Sequence, residues 1–133
     1  MREEEIRKLL KIALMRESFS VFTEISRIDL VAIKNGLSHG FELKSVNGNS
    51  FKALGQALRN SLYVNYSWIV LPWNLVKKDF LQSLKEMSVG LITVNRELTF
   101  SIVKKSAGKQ QPVKTLIIPK EKVQKNVEHR IFF

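Results

Sequence analysis

The chain has 133 residues, 44% of them hydrophobic and 26% charged, enough for one domain with a real core and too apolar for a disordered chain. It contains no cysteine, which excludes disulfides and thiolate metal sites, and no apolar run approaches the ~20 residues that cross a bilayer. Twenty-two Lys and Arg against twelve Asp and Glu give a net charge of +10, which points to a polyanionic partner.

In chain order, Met1-Arg2-Glu3-Glu4-Glu5 reads as the polar start of a helix rather than as a signal peptide, so the expected setting is intracellular. Ile6, Leu9, Leu10, Ala13 and Leu14 repeat with helical spacing and predict a helix over 3–15. Residues 19–25 and 28–33 read as strands separated by the short break Ser26-Arg27. Asn35-Gly36 is a turn signal ahead of a strand at 40–45, so the three strands form an antiparallel meander. Ser50 is the expected N-cap of a helix over 51–63 whose apolar face is Leu54, Ala57, Leu58, Ser61 and Leu62. Tyr66 to Leu71 reads as a buried strand stopped by Pro72. A helix over 75–87 follows, then strands over 88–94 and 98–103 joined as a hairpin.

From Lys104 the composition changes. Residues 104–130 carry eight Lys or Arg against Glu121 and Glu128. We therefore divide the chain into an α/β core over 1–103 and a basic extension over 104–133, with a further strand expected at 113–118. The meander and the crossover helices together predict a mixed central sheet flanked by helices. The apolar Phe132-Phe133 end is expected to dock on the body or on a second copy.

The chemically suggestive residues are Asp29, inside one apolar run, and Glu42-Leu43-Lys44, inside the next. Alternation along a strand puts Glu42 and Lys44 on one face, and the turn near Asn35-Gly36 aligns Asp29 beside Glu42. Two carboxylates at that range repel and favour a cation between them, and hard oxygen ligands suit Mg²⁺ or Mn²⁺. The Leu43 carbonyl is a further candidate ligand, and Lys44 a candidate to orient a water or offset phosphate charge. The plainer reading of the same residues is two strand acids and a lysine in solvent.

Ile28-Asp29-Leu30-Val31, the gap and Glu42-Leu43-Lys44 resemble the PD-(D/E)xK nuclease superfamily, over about residues 3–103. Gln56 and Tyr63 are similar to the Gln and Tyr on the helix that follows the motif in RecB-like nucleases, at looser spacing. Size and charge are nearest to archaeal and viral Holliday-junction resolvases, although the Ser26-Arg27 break is shorter than theirs. The resemblance implies a restriction-endonuclease-like core, Mg²⁺-dependent hydrolysis of DNA and a homodimer. It also implies a further metal-binding acid on the first helix, Glu3 or Glu5. Glu24, five residues before Asp29, is either another site acid or a salt-bridge partner of Arg27. Gln56 either positions a water or lies on a helix surface.

Arg27, Lys52, Arg59, Lys104, Lys105 and Lys109 are candidate phosphate contacts, with a solvated charged face as the alternative. His39 and His129 read as surface histidines. Trp68 reads as core, whereas Trp73, after Pro72, either packs or stacks on a base. No Gly-rich phosphate loop is present, which argues against a nucleotide cofactor. The function expected is a metal-dependent DNA endonuclease. The alternatives are a non-catalytic nucleic-acid-binding module on the same fold and a basic assembly subunit.

Overall fold

A computed structural model describes residues 2–119 and 122. Its elements are α1 (Glu3–Arg16), β1 (Ser20–Ile25), β2 (Ile28–Lys34), β3 (Leu37–Leu43), α2 (Ser50–Asn60), β4 (Tyr66–Pro72), a 3₁₀ turn (Trp73–Leu75), α3 (Lys78–Leu84), β5 (Gly90–Val94) and β6 (Phe100–Lys104). The six strands form one mixed sheet in the order β1-β2-β3-β4-β5-β6. β1, β2 and β3 are antiparallel, β3, β4 and β5 parallel, and β5 and β6 antiparallel again. The architecture is thus α/β, a mixed sheet flanked by helices. Among the described residues no helix is long and apolar enough to cross a membrane.

Two tight hairpins build the meander. Asn35 and Gly36 both have positive φ, 53° and 77°, between the paired residues Lys34 and Leu37. This type I′ geometry matches the twist of the flanking strands, and Asn-Gly tolerates it best. The turn is only two residues long, so β3 begins at Leu37 and not at Gly40 as predicted. Ser26 and Arg27 make the second hairpin with φ of 51° and 66°, and Glu24 also lies at 53°. These side chains are less suited to left-handed backbone than Asn or Gly, so the β1–β2 corner carries strain.

The sheet buries both faces. On one, Ile6 and Leu10 of α1 pack on Leu30, Phe41, Leu43 and Val70. On the other, Ala53, Leu54 and Ala57 of α2 join Phe80 and Leu84 of α3 over Ile69, Leu71 and Leu91. The buried stripe of α2 is Ala53, Leu54, Ala57 and Asn60, rotated from the predicted one, and Leu58 is 38% exposed. Small alanines let the helix approach until Ser67 Oγ donates to the Ala57 carbonyl at 2.6 Å. The helix begins one residue earlier than predicted because Asn49 is the cap, its Oδ1 accepting from the Phe51 and Lys52 amides at 3.0 and 3.1 Å. It ends at Asn60, so Tyr63 lies beyond it.

The predicted 75–87 helix is shorter, a 3₁₀ turn and then Lys78–Leu84. β5 and β6 each begin two residues later than predicted. Residues 113–118 form no strand. Instead, segment 105–118 runs as a strap across the N-terminal ends of β5 and β4 toward β2. Ala107 N donates to Ser88 O at 2.8 Å, Lys109 N to Asn65 O at 3.0 Å and Lys114 N to Leu62 O at 2.8 Å. The strap crosses Tyr66 at Gly108, where any Cβ would overlap the ring. Leu116 and Ile118 then pack on the cluster of Phe22, Ile25, Ile28, Val31 and Val64. Leu116 and Ile118 thus pack on one side while Val113 and Ile117 stay exposed, and the segment forms no ladder.

Candidate active site

The β2–β3 ladder ends at the pair Leu30 and Phe41, which sets Asp29 across from Glu42 as the two strands begin to part. There Asp29 replaces the ladder: its Oδ2 accepts from the Leu43 amide at 3.0 Å. Glu42 is 3% exposed, beneath α2. Its Oε1 accepts from Asn60 Nδ2 at 3.0 Å, and its carboxyl lies within hydrogen-bonding reach of Asp29. Asn60, fully buried, in turn accepts through Oδ1 from the Arg59 guanidinium at 2.8 Å, and the same Arg59 nitrogen donates to the Arg27 carbonyl at 3.1 Å. One chain of polar contacts therefore runs from the strained β1–β2 turn to the paired carboxyls.

Burial, and after it the negative charge of Asp29, push the Glu42 carboxyl up to about 7. The Asn60 amide and the Lys44 charge oppose the rise, and the hydrogen bond with Asp29 adds to it.

Gln56 lies one turn before Asn60, on the same face of α2. Its Oε1 is buried with no hydrogen-bond partner among the described residues. Such an orphaned acceptor costs on the order of 1–3 kcal/mol, so it is accounted for best by a donor or cation from outside the chain. Lys44 is half-buried, and its amide continues the parallel ladder by donating to Val70 O at 3.1 Å. Asp29, Glu42, Lys44 and the Gln56 helix are thus brought to one face of β3. At Leu43 the structure ties the amide to Asp29; it assigns no contact to the carbonyl.

The other expected acids do not join the pair. Glu3 faces Arg7 at 4.0 Å on α1, which packs on the opposite side of the sheet, and Glu5 is exposed. Glu24 falls across from Asp29 in the β1–β2 register, but it is exposed and makes no salt bridge to Arg27. Among the described residues no group of three or more His, Cys, Asp or Glu side chains is placed to hold a metal. The donors shown together are the two carboxylates, with the unpartnered Gln56 Oε1 on the helix that covers them. That suits Mg²⁺ or Mn²⁺, which are commonly held by one or two carboxylates, with waters and substrate phosphates filling the remaining positions.

The basic candidates divide. Lys52 and Lys105 are exposed, as is Arg27 on its turn, and Lys109 is half-buried. The Arg59 side chain is committed to the Arg27 carbonyl and Asn60. Lys104 is not a free phosphate contact: its Nζ donates to Met87 O at 2.6 Å and Val89 O at 2.8 Å, and burial lowers its pKa. It braces the far edge of the sheet. Tyr63 packs with the β1–β2 cluster, with Lys114 Nζ 5.6 Å from its ring centre.

His39, expected at the surface, is half-buried in β3 on the α1 side. It stacks on Tyr66 with centroids 4.5 Å apart and accepts at Nδ1 from Trp68 Nε1 at 3.1 Å. Burial pulls its pKa down to about 4, so the ring is neutral near pH 7. Trp68 is core, 8% exposed, and Trp73 is 48% exposed. His129 and Phe132-Phe133 lie outside the described residues.

No family model matches the chain, and no curated protein matches it. In fold it is similar to a protein of unknown function from Silicibacter pomeroyi, with a TM-score of 0.54 at 16% identity over 90% of this chain and 79% of the other. That likeness concerns the architecture alone.

Proposed function

We propose that the chain is a metal-dependent DNA endonuclease on a restriction-endonuclease-like core, acting inside the cell and as a homodimer. The observation that carries this reading is the contact between Asp29 and a deeply buried Glu42 whose carboxyl is pushed up to about 7, with Lys44 two residues on along the same face. A purely structural carboxyl pair is a costly way to fill a core. The same pair is useful if a divalent cation takes the proton's place. Asp29 and Glu42 would hold Mg²⁺ or Mn²⁺, with the Leu43 carbonyl and the Gln56 amide oxygen as further donors. The ion would supply Lewis acidity toward a phosphodiester oxygen.

The chain's own groups do the rest. Asn60 fixes the Glu42 carboxyl through its amide, and Arg59 fixes Asn60 in turn. Lys44 offers positive charge where the phosphate gains negative charge. Gln56 orients a water or a phosphate oxygen by hydrogen bonding. Lys52, Arg27, Lys105 and Lys109 supply charge toward the phosphate backbone, which makes binding steeply salt-dependent.

One observation favours the alternative of a non-catalytic nucleic-acid-binding module: no third acid stands beside the pair among the described residues. Cleavage assays on linear, branched and single-stranded DNA with Mg²⁺ or Mn²⁺ decide between them. The enzyme reading requires cleavage that Asp29→Ala and Lys44→Ala abolish while binding persists. Binding without cleavage on every substrate leaves the module.

A further inference from the structure

At the C-terminal edge of the parallel strands lies an open groove of about 360 Å³, lined by Val46, Pro72, Trp73, Asn74 and Arg96. Its floor is an indole 48% exposed, which is unusual for the largest side chain in the repertoire. The Arg96 guanidinium sits over the indole ring, 5.4 Å from its centre, so an incoming base either displaces it or stacks on the ring's other face, and it has no salt-bridge partner among the described residues. Asn74 adds an amide able to donate and accept at the same rim. A flat π-surface, a free cation and an amide are the complement of a nucleobase with its phosphate.

The groove lies at the end of the sheet where β3 and β4 finish, the same end as Glu42 and Lys44. Val46 follows Lys44 by two residues, and Ile69, opposite Glu42 in the β3–β4 register, precedes Trp73 by four. At ~3.3 Å per residue along a strand and ~4.8 Å between strands, Trp73 lies roughly 14 Å from Glu42. That is about four base steps at the ~3.4 Å rise of one DNA strand. In an intact duplex both faces of a base are already stacked, so this indole accepts a base only from an unpaired strand.

We propose that the Trp73–Arg96 groove is a nucleobase subsite that receives an unpaired base from the strand presented to Asp29 and Glu42. This deepens the nuclease reading and rests on it, naming the substrate class as DNA with a single-stranded region. The subsite is a sequence-tolerant anchor, because stacking uses the π-face that every base has.

Binding in EDTA tests the subsite without any cleavage. The chain has two tryptophans, and buried Trp68 serves as the internal reference for exposed Trp73. A single-stranded oligonucleotide is expected to quench the Trp73 fluorescence, and a blunt duplex of the same length to leave it nearly unchanged. Trp73→Ala should remove the quench and weaken single-strand binding roughly 5- to 100-fold, with duplex binding little altered. Trp73→Phe should retain most of the affinity, and circular dichroism of both variants reports the fold. If the alanine variant falls below native ellipticity, the Phe variant and Arg96→Gln, expected to weaken single-strand binding several-fold, carry the decision. Equal quenching by duplex, or single-strand affinity unchanged in Trp73→Ala or Arg96→Gln, overturns the proposal. The two readings fail separately. Stacking on Trp73 with no metal-dependent cleavage keeps the subsite and removes the nuclease, whereas Asp29-dependent cleavage indifferent to Trp73 does the reverse.

Discussion

The two faces of β3 carry opposite chemistry on alternate residues of one strand. His39 and Phe41 join Tyr66, Trp68 and Phe19 in an aromatic cluster on the α1 side. Ser38, Gly40 and Glu42 turn toward α2, where Ser38 bonds Asn65 and Glu42 bonds Asn60. Each face buries one titratable group, and burial drives each toward its neutral form: Glu42 by holding a proton up to about pH 7, His39 by refusing one down to about pH 4. The aromatic face spends its histidine on packing and one hydrogen bond. The polar face keeps a carboxyl pair whose neutral state depends on a removable proton.

The largest expected effect separates the faces by function. Asp29→Asn or Glu42→Ala should lower metal-dependent DNA cleavage at least ~100-fold in a gel assay, since even groups that only support metal ligands cost 10–100-fold. His39→Phe should leave the cleavage rate within about twofold. Equal losses on both faces would refute this division of labour.

Stability against pH comes next. A raised Glu42 pKa means that the folded state binds an extra proton between about pH 4.5 and 7. Its stabilising contribution is full below the unfolded pKa and is lost as pH rises through about 7. In EDTA, Glu42→Gln should therefore melt higher than the parent at pH 8, by on the order of 3 kcal/mol, with the advantage fading toward pH 5. Adding Mg²⁺ should raise the parent's melting temperature more at pH 8 than at pH 6, because ion and proton compete. The opposite pH order in thermal melts would count against the carboxyl pair as a cation site.

His39 has the reverse sign. Its pKa is depressed, so its contribution is full above the unfolded value of about 6.5 and disappears as pH falls through about 4. His39→Phe should flatten that acid limb in chemical denaturation, at a cost of about 1–2 kcal/mol near pH 7 from the stranded Trp68 N–H. The smallest effect is expected from Asn60→Ala. It removes the donor that favours ionised Glu42, so the pH of half-maximal cleavage should move upward, by about one unit or less.

Much of this was legible in the sequence. Alternation and the Asn35-Gly36 turn pointed to Asp29 beside Glu42, and the register of the observed two-residue hairpin sets that pairing even though β3 starts three residues earlier than predicted. The mixed sheet flanked by helices followed from the meander and the two crossover helices. Asn60 was missed, since an asparagine late in a helical pattern signals nothing by itself. The available clue was its place four residues after Gln56 and three after Ala57, on a small-residue stripe that marks close helix–sheet approach. His39 was missed because the predicted turn was too long, and the ring it stacks on most closely, Tyr66, lies 27 residues further on. The acids Glu3 and Glu5 came from resemblance and helical phase, neither of which specifies which side of the sheet a helix covers, whereas Glu24 came from the β1–β2 hairpin, whose register sets it across from Asp29 but leaves its side chain exposed.

The strap has a consequence for the order in which the molecule is made. Asn65 is 6% exposed, and its amide donates to the carbonyls of Lys109 and Gln110 at 2.8 and 3.0 Å while its oxygen accepts from Ser38. On the ribosome these partners emerge some forty residues after Asn65, when β3 and β4 have already met. Until then the nascent sheet holds a half-satisfied buried amide and an uncovered apolar patch at Phe22 and Ile25, the kind of surface that chaperones engage. Completion of the strap, rather than closure of the sheet, is what satisfies the Asn65 amide and covers the Phe22 and Ile25 patch.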